Sequence, residues 1–217
     1  MKSIILLTIV ALCCGCGETD TKTTKEGVLV FVHGGGWTMR PPVLPAPSTA
    51  GLPELAARHG FEYRTITYPL ATPENYSYPA AHRSVIKQLL EMRNEFRHIY
   101  VIGSSAGANI VALAALEQPS SMDKAALYYG VYDLPAMDND FNSRYSNIYT
   151  SDQYAASPAH IGKPSVSVKL WHGSADTLVP YTQSTNYYDD AVIVDGAPHG
   201  FTLMDWTGDE LEAFLFD

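Results

Sequence analysis

The sequence predicts an α/β domain, a mostly parallel β-sheet with helices on both faces. Two observations carry that expectation. Short runs rich in Val, Ile, Tyr and Phe, each the length of one strand, alternate with longer stretches whose apolar residues recur at helical spacing. The first run is also apolar without interruption, as a strand reads when both faces of its sheet are covered. Strands joined through helices run parallel, because each crossover returns the chain to the edge where it started.

Residues 28–32, Val-Leu-Val-Phe-Val, form the first expected strand, and it ends in His33-Gly34-Gly35-Gly36-Trp37. The Pro-rich residues 41–53 read as a surface loop, and residues 54–59 as a helix closed by Gly60. A strand follows at 61–68, then a helix at 80–96 with Val85, Ile86, Leu89, Leu90 and Met92 at broadly helical spacing. Residues 99–102 are a strand, and 106–116, dense in Ala and Leu, are a buried helix. A strand is expected at 125–129. The segment 134–163 reads as too polar and broken to belong to the core. Strands at 165–171 and 191–194 and a short helix at 210–214 close the chain.

The 217 residues are most simply one domain, large enough to bury a substantial core, and 46% hydrophobic with 17% charged residues is ordinary for a globular protein. The net charge of −9 argues against nucleic acid as a partner, since phosphates demand a basic surface. Lys2 and the apolar residues 4–12 read as a signal peptide, the run being short for a bilayer span. All three cysteines, Cys13, Cys14 and Cys16, lie at the end of that run, so the chain beyond it has no internal disulfide. The clustering resembles a bacterial lipoprotein signal, with acylation of Cys16 after cleavage, and Cys14 as the other candidate. This divides the chain into a signal at 1–15, a polar tether at 16–27 and a domain at 28–217. It implies an exported, membrane-attached protein of the cell envelope, with soluble periplasmic or secreted release as the alternative.

Between the strand at 99–102 and the helix at 106–116 stands Gly103-Ser104-Ser105-Ala106-Gly107, a G-x-S-x-G pattern. A strand that turns into a helix within one or two residues forces a strained apex, which small neighbours permit. Ser105 occupies that apex, with the peptide N–H groups of a helix start beside it, where negative charge is favoured. The three glycines after the first strand offer a second set of N–H groups able to point at one oxygen.

With these residues in place, the chain resembles the α/β-hydrolase superfamily and, within it, the esterases related to hormone-sensitive lipase. His33-Gly34-Gly35-Gly36-Trp37 resembles that family's oxyanion loop. The stretch Tyr68-Pro69-Leu70-Ala71-Thr72-Pro73-Glu74, with Tyr78-Pro79-Ala80-Ala81, resembles its Tyr-Arg-Leu-Ala-Pro-Glu and Pro-Ala-Ala segments. The elbow, His172-Gly173-Ser174-Ala175-Asp176 and Ala197-Pro198-His199-Gly200-Phe201 complete five motifs in order. Pro69 replaces an Arg, Thr72 is an insertion, and His82-Arg83 stands where an acidic residue is usual, a change with no functional account in the sequence. The family's cap and further strands before the oxyanion loop have no counterpart here, so a minimal cap and an open mouth are expected.

The resemblance implies a serine hydrolase whose triad follows the order Ser, acid, His. Ser105 is the nucleophile, His199 the base and Asp176 the acid that orients it; Asp133 and Asp195 are the competing acids. The oxyanion donors implied are the N–H groups of Gly35, Gly36 and Ala106, with Gly34 able to substitute for one. His172 reads as packing or donating to a loop carbonyl, and His33 as bracing its own loop. No metal or other cofactor is implied, because the histidines lack the paired spacing of a zinc site. Tyr128, Tyr129, Tyr132, Tyr145, Tyr149 and Tyr154 crowd the irregular segment and its approach. They read as edge packing, with a platform for a sugar or aromatic acyl group as the functional alternative. The implied activity is carboxylic ester hydrolysis, on acylated carbohydrates or small esters. Formamide or amide hydrolysis on the same fold, or a surface protein without activity, are the alternatives.

Overall fold

β1 (Lys25–Val32) explains its own position in the sheet. Val28, Val30 and Val32 face one apolar cluster and Leu29 and Phe31 the other, and none of the five exposes more than 1% of its surface. A strand covered on both faces has no polar side to show water, which is why its sequence runs unbroken. In this computed structural model, which describes residues 24–40 and 47–217, five more strands join it. They are β2 (Phe61–Ile66), β3 (Phe96–Ser104), β4 (Lys124–Tyr128), β5 (Ser167–Gly173) and β6 (Val192–Val194). The order is β2-β1-β3-β4-β5-β6 and every pairing is parallel. The signal, the tether up to residue 23 and the attachment residue Cys16 lie outside the described residues.

Helices cover both faces, as the sequence predicts. α1 (Leu52–Arg58), α2 (Ala80–Met92) and α3 (Ala106–Glu117) connect the first four strands. Three short pieces follow β4: α4 (Asn139–Phe141), α5 (Asn147–Tyr149), joined to it through a π turn at Asn142–Ser146, and α6 (Pro158–Ile161). α7 (Thr182–Tyr187) follows β5 and α8 (Leu203–Phe216) follows β6. α2 and α3 pack in the cluster with Val28, Val30 and Val32, whereas α1 and α8 pack with Leu29 and Phe31. α3 is buried at ten consecutive positions from Ala106 to Ala115, which accounts for its Ala-rich, stripe-free sequence.

Several expectations are corrected. The helix expected over 80–96 stops at Met92, because Asn94 and Glu95 donate back to the Glu91 and Met92 carbonyls and close a tight turn. Phe96 is thereby released to open β3, where it is buried. The final helix begins at Leu203 rather than 210. Leu203, Thr207, Leu211 and Leu215 recur every four residues on its buried face, and the Thr207 hydroxyl, polar in sequence, is satisfied by the Leu203 carbonyl at 2.8 Å and the Tyr128 hydroxyl at 2.9 Å. α7 has no apolar periodicity to announce it; Gln183 and Ser184 are buried there by bonding rather than by hydrophobicity.

The segment 134–163 is also part of the core. Leu134, Met137, Phe141, Tyr149 and Ala156 are buried in the α2/α3 cluster. Its polar residues do not prevent this because they are consumed locally. Asp138 accepts from the Phe141 N–H at 2.7 Å, and the Ser157 hydroxyl accepts from the Leu134 N–H at 2.9 Å while donating to the Gln153 carbonyl at 2.6 Å.

The unexplained His82-Arg83 pair ties α2 to α3. Both side chains reach Glu117, from His82 Nε2 at 2.7 Å and Arg83 Nε at 2.9 Å. Burial pushes the His82 pKa below 6.5 despite the bond to Glu117, and burial does the same to His33, helped by the charge of Arg40 and opposed by the Gly34 carbonyl. A histidine whose folded pKa lies below its unfolded value binds more protons when unfolded. Its contribution to stability is therefore present above about pH 6.5 and lost as pH falls below it. The melting temperature is expected to fall between about pH 7.5 and pH 5.5, and His82→Gln to flatten that fall in calorimetry. An identical pH slope for the variant would show that His82 carries none of it.

Candidate functional site

The site is assembled at the ends of the strands, where the loops after β1, β3, β5 and β6 meet. β3 ends at Ser104 and α3 starts at Ala106, so Ser105 alone makes the turn, at φ 53° and ψ −122°. Such a conformation costs about 1–3 kcal/mol for a residue with a side chain, and the packing on both sides holds it. Gly107 is required by close approach. A Cβ there would collide with the Val32 and His33 carbonyl oxygens, so α3 could not lie against the end of β1.

Ser105, His199 and Asp176 form one hydrogen-bonded line. The Ser105 hydroxyl lies 3.0 Å from His199 Nε2, and His199 Nδ1 lies 2.6 Å from Asp176 Oδ2. The His199 side chain is 18% exposed and that of Asp176 fully buried. Burial alone would raise the Asp176 pKa. Donors outweigh it: His172, then His199 through its bond and its charge, then the Val179 N–H hold the carboxyl well below the usual carboxylate range. The competing acids are engaged elsewhere. Asp133 pairs with His160 at 3.0 Å, and Asp195 accepts from the Ser174 hydroxyl at 3.2 Å.

His172 does more than the sequence suggests. Its Nε2 faces the Val179 carbonyl at 2.9 Å, the kind of loop carbonyl expected, and Asp176 Oδ2 at 3.1 Å. Two acceptors on one nitrogen require a proton there, so Nε2–H donates to both, and Nδ1 is hydrogen-bonded with the Ser184 hydroxyl at 2.8 Å. Asp176 thus receives donors from both histidines on Oδ2 and the Leu178 and Val179 N–H groups on Oδ1. The four-residue spacing of His172 and Asp176 is visible in the sequence; that β5 and its loop fold the two together is not.

The glycine loop borders the same cavity. The Gly34 carbonyl is held by His33 Nδ1–H at 2.7 Å and by the Tyr68 hydroxyl at 3.3 Å, and the Gly35 carbonyl accepts from the Thr38 and Met39 N–H groups at 3.2 and 3.0 Å. In a trans peptide the N–H points opposite its carbonyl, so the Gly35 and Gly36 N–H groups are turned away from those partners. The Ser105 carbonyl is likewise drawn into α3 by the Ala108 N–H at 3.0 Å, which turns the Ala106 N–H out of the helix start. Gly34, Gly35, Gly36, Ser105, Ala106 and His199 all line one cavity of about 280 Å³. Tyr68 is a residue the sequence reading did not single out for the site. Its ring stacks on His33 at 4.5 Å and its hydroxyl bonds the His33 carbonyl at 3.0 Å, fixing the loop from below.

The tyrosines divide. Tyr128, Tyr129, Tyr132 and Tyr149 are buried, Tyr154 is exposed, and Tyr129 and Tyr145 line the cavity. Tyr129, at φ 40°, meets the His199 ring edge-on at 4.9 Å. Phe141 and Tyr145 of the 134–163 segment line one part of the cavity. Among the described residues no group of three His, Cys, Asp or Glu side chains gathers to hold a metal ion.

A fold with a nucleophile elbow after β3, a glycine loop after β1 and an acid and a histidine after β5 and β6 defines an α/β hydrolase. A family model described as the alpha/beta hydrolase fold matches residues 29–184, and the chain belongs to that family. No curated protein sequence matches it. Among solved structures it is similar to the carboxylesterase Cest-2923 from Lactobacillus plantarum WCFS1, at 18% identity and a TM-score of 0.66 over 83% of this chain and 76% of that one. A truncated carbohydrate esterase from gut microbiota aligns at 18% identity and 0.69, over 90% and 86%. An esterase from Pyrobaculum calidifontis aligns at 19% and 0.69, over 88% and 74%.

Proposed function

We propose that the protein is a serine carboxylesterase that works through an acyl-enzyme on Ser105. The observation that carries the reading is the continuous line from the Ser105 hydroxyl through His199 to Asp176, beside a glycine loop that lines the same cavity. His199 Nε2 takes the serine proton as Oγ attacks the ester carbonyl. The carbonyl oxygen gathers negative charge and is met by the Gly35, Gly36 and Ala106 N–H groups, an arrangement worth several kcal/mol in a site shielded from water, about 3–4 per donor. Collapse of this intermediate breaks the bond to the alcohol oxygen, which leaves with the proton from Nε2. Water then enters, gives a proton to Nε2 and attacks the acyl carbon; collapse of the second intermediate breaks the bond to Ser105 Oγ, which takes that proton back from Nε2 as the carboxylic acid departs. Asp176 holds the Nδ1–H tautomer throughout and steadies the imidazolium.

The substrates proposed are small esters or acylated carbohydrates; likeness of fold to a carbohydrate esterase is compatible with the second. Hydrolysis of p-nitrophenyl acetate, acetylated xylan and methyl ferulate by the purified protein, beside an N-formyl amide, tests the reading. Turnover of the amide alone would reverse it. The proposal places the enzyme at the cell envelope through a lipid on Cys16, with release as a soluble protein as the alternative. Fatty-acid labelling that survives Cys16→Ser would count against attachment there.

A further inference from the structure

Resting on that esterase reading, we infer that the site sorts esters by their acyl group: a compact acyl group is enclosed against Tyr145, while the alcohol is left unrestricted. The sheet sets the two sides. Trp37, Val131 and Phe141 belong to the α2/α3 cluster, with Tyr145 packed against it, whereas Tyr129 and Phe201 belong to the α1/α8 cluster. His199 packs on Tyr129 and therefore stands toward the second side. The leaving oxygen must come within hydrogen-bond reach of His199 Nε2 to receive its proton, so the alcohol departs on that side. The acyl chain, on the other substituent of the carbonyl carbon, is directed toward Val131, Phe141 and Tyr145.

The wall it meets is close and firmly backed. A Cβ on Gly36 would collide with the Tyr145 ring, so the ring rests directly on the oxyanion loop. Behind it the Phe141 ring lies 5.0 Å from Tyr145 and meets Trp37 edge-on at 6.4 Å, and Trp37 stacks on Tyr149 at 4.4 Å. Trp37, Phe141 and Tyr149 are all buried, so Tyr145 cannot move inward without opening the core. Tyr145 is carried on the π turn Asn142–Ser146, whose extra residue per turn re-aims the side chains that follow; such turns concentrate at functional sites. The opposite rim is different. Leu178, whose N–H bonds Asp176, lines the cavity on that side yet is 44% exposed, and among the described residues none that lines the cavity there closes over a large alcohol. At about 280 Å³ the cavity lies at the small end for ligand pockets, which run from about 300 Å³ upward.

The test compares kcat/KM for p-nitrophenyl acetate and octanoate in the wild type and in Tyr145→Ala. The wild type is expected to favour acetate, and the variant to raise the octanoate-to-acetate ratio at least about tenfold, as removal of a pocket wall does. An unchanged ratio would overturn the inference. The alcohol side is read with phenyl acetate and 4-phenylphenyl acetate, expected within about threefold of each other; a tenfold loss with the larger alcohol would overturn that half. Phosphonates carrying a methyl or an octyl chain, scored by mass on Ser105 of the wild type, keep the wall testable if Tyr145→Ala does not fold. Faster labelling by the methyl compound supports the wall, and equal labelling refutes it. Labelling by neither would overturn the esterase reading itself.

Discussion

Ser105→Ala is expected to lower kcat by about 10⁶, the scale seen when a triad nucleophile is removed, and to leave the melting temperature within a few degrees of the wild type. The hydroxyl forms the covalent bond, so no neighbour can take its place; the adjacent Ser104 belongs to β3 and is buried. Its structural contribution is small by comparison. Within the site it meets only His199, and alanine keeps the Cβ that the strained apex already accommodates. Steady-state rates on p-nitrophenyl acetate and a calorimetric scan check both halves. Activity within tenfold of wild type would remove Ser105 from its proposed role.

Asp176→Asn is expected to lower kcat by about 10⁴ with little change in fold. The amide keeps the shape and can still accept, through its oxygen, from the Leu178 and Val179 N–H groups. Its nitrogen would then face His199 Nδ1 as a donor, which favours the tautomer with the proton on Nε2, facing Ser105. That imidazole cannot take the serine proton. Asp195→Asn is the control. Among the described residues the Asp195 carboxylate bonds only the Ser174 hydroxyl, so its substitution is expected to leave kcat within about threefold, and a large loss there instead would identify Asp195 as the acid. Replacement of His172 by Phe should cost much less than Asp176→Asn, because one of the donors to the carboxylate is lost while the others remain.

The sequence by itself determined the sheet and the residues that could do chemistry. Unbroken apolar runs such as 28–32 fix buried strands because a side chain period of two leaves no polar face, and they alternate with helices that must then cover both sides. The strand–Ser–helix turn was legible for the same reason: only small residues fit around it, and Gly107 is small because the Val32 and His33 carbonyls press against that position. Local chemistry of this kind is written in adjacent residues.

What lies far apart in the chain was decided only by tertiary structure. No pattern in residues 134–163 announces a core segment, because its apolar residues follow neither the helical nor the strand period and its polar ones are paired by Asp138 and Ser157 only once folded. The same applies to the hidden contact of His172 with Asp176 and to the reach of Tyr145 from the 134–163 segment into the cavity. Each depends on which loops the parallel sheet brings to one edge. A π turn then aims Tyr145 at Gly36, a residue more than a hundred positions earlier, and sequence periodicity carries no information about contacts at that range.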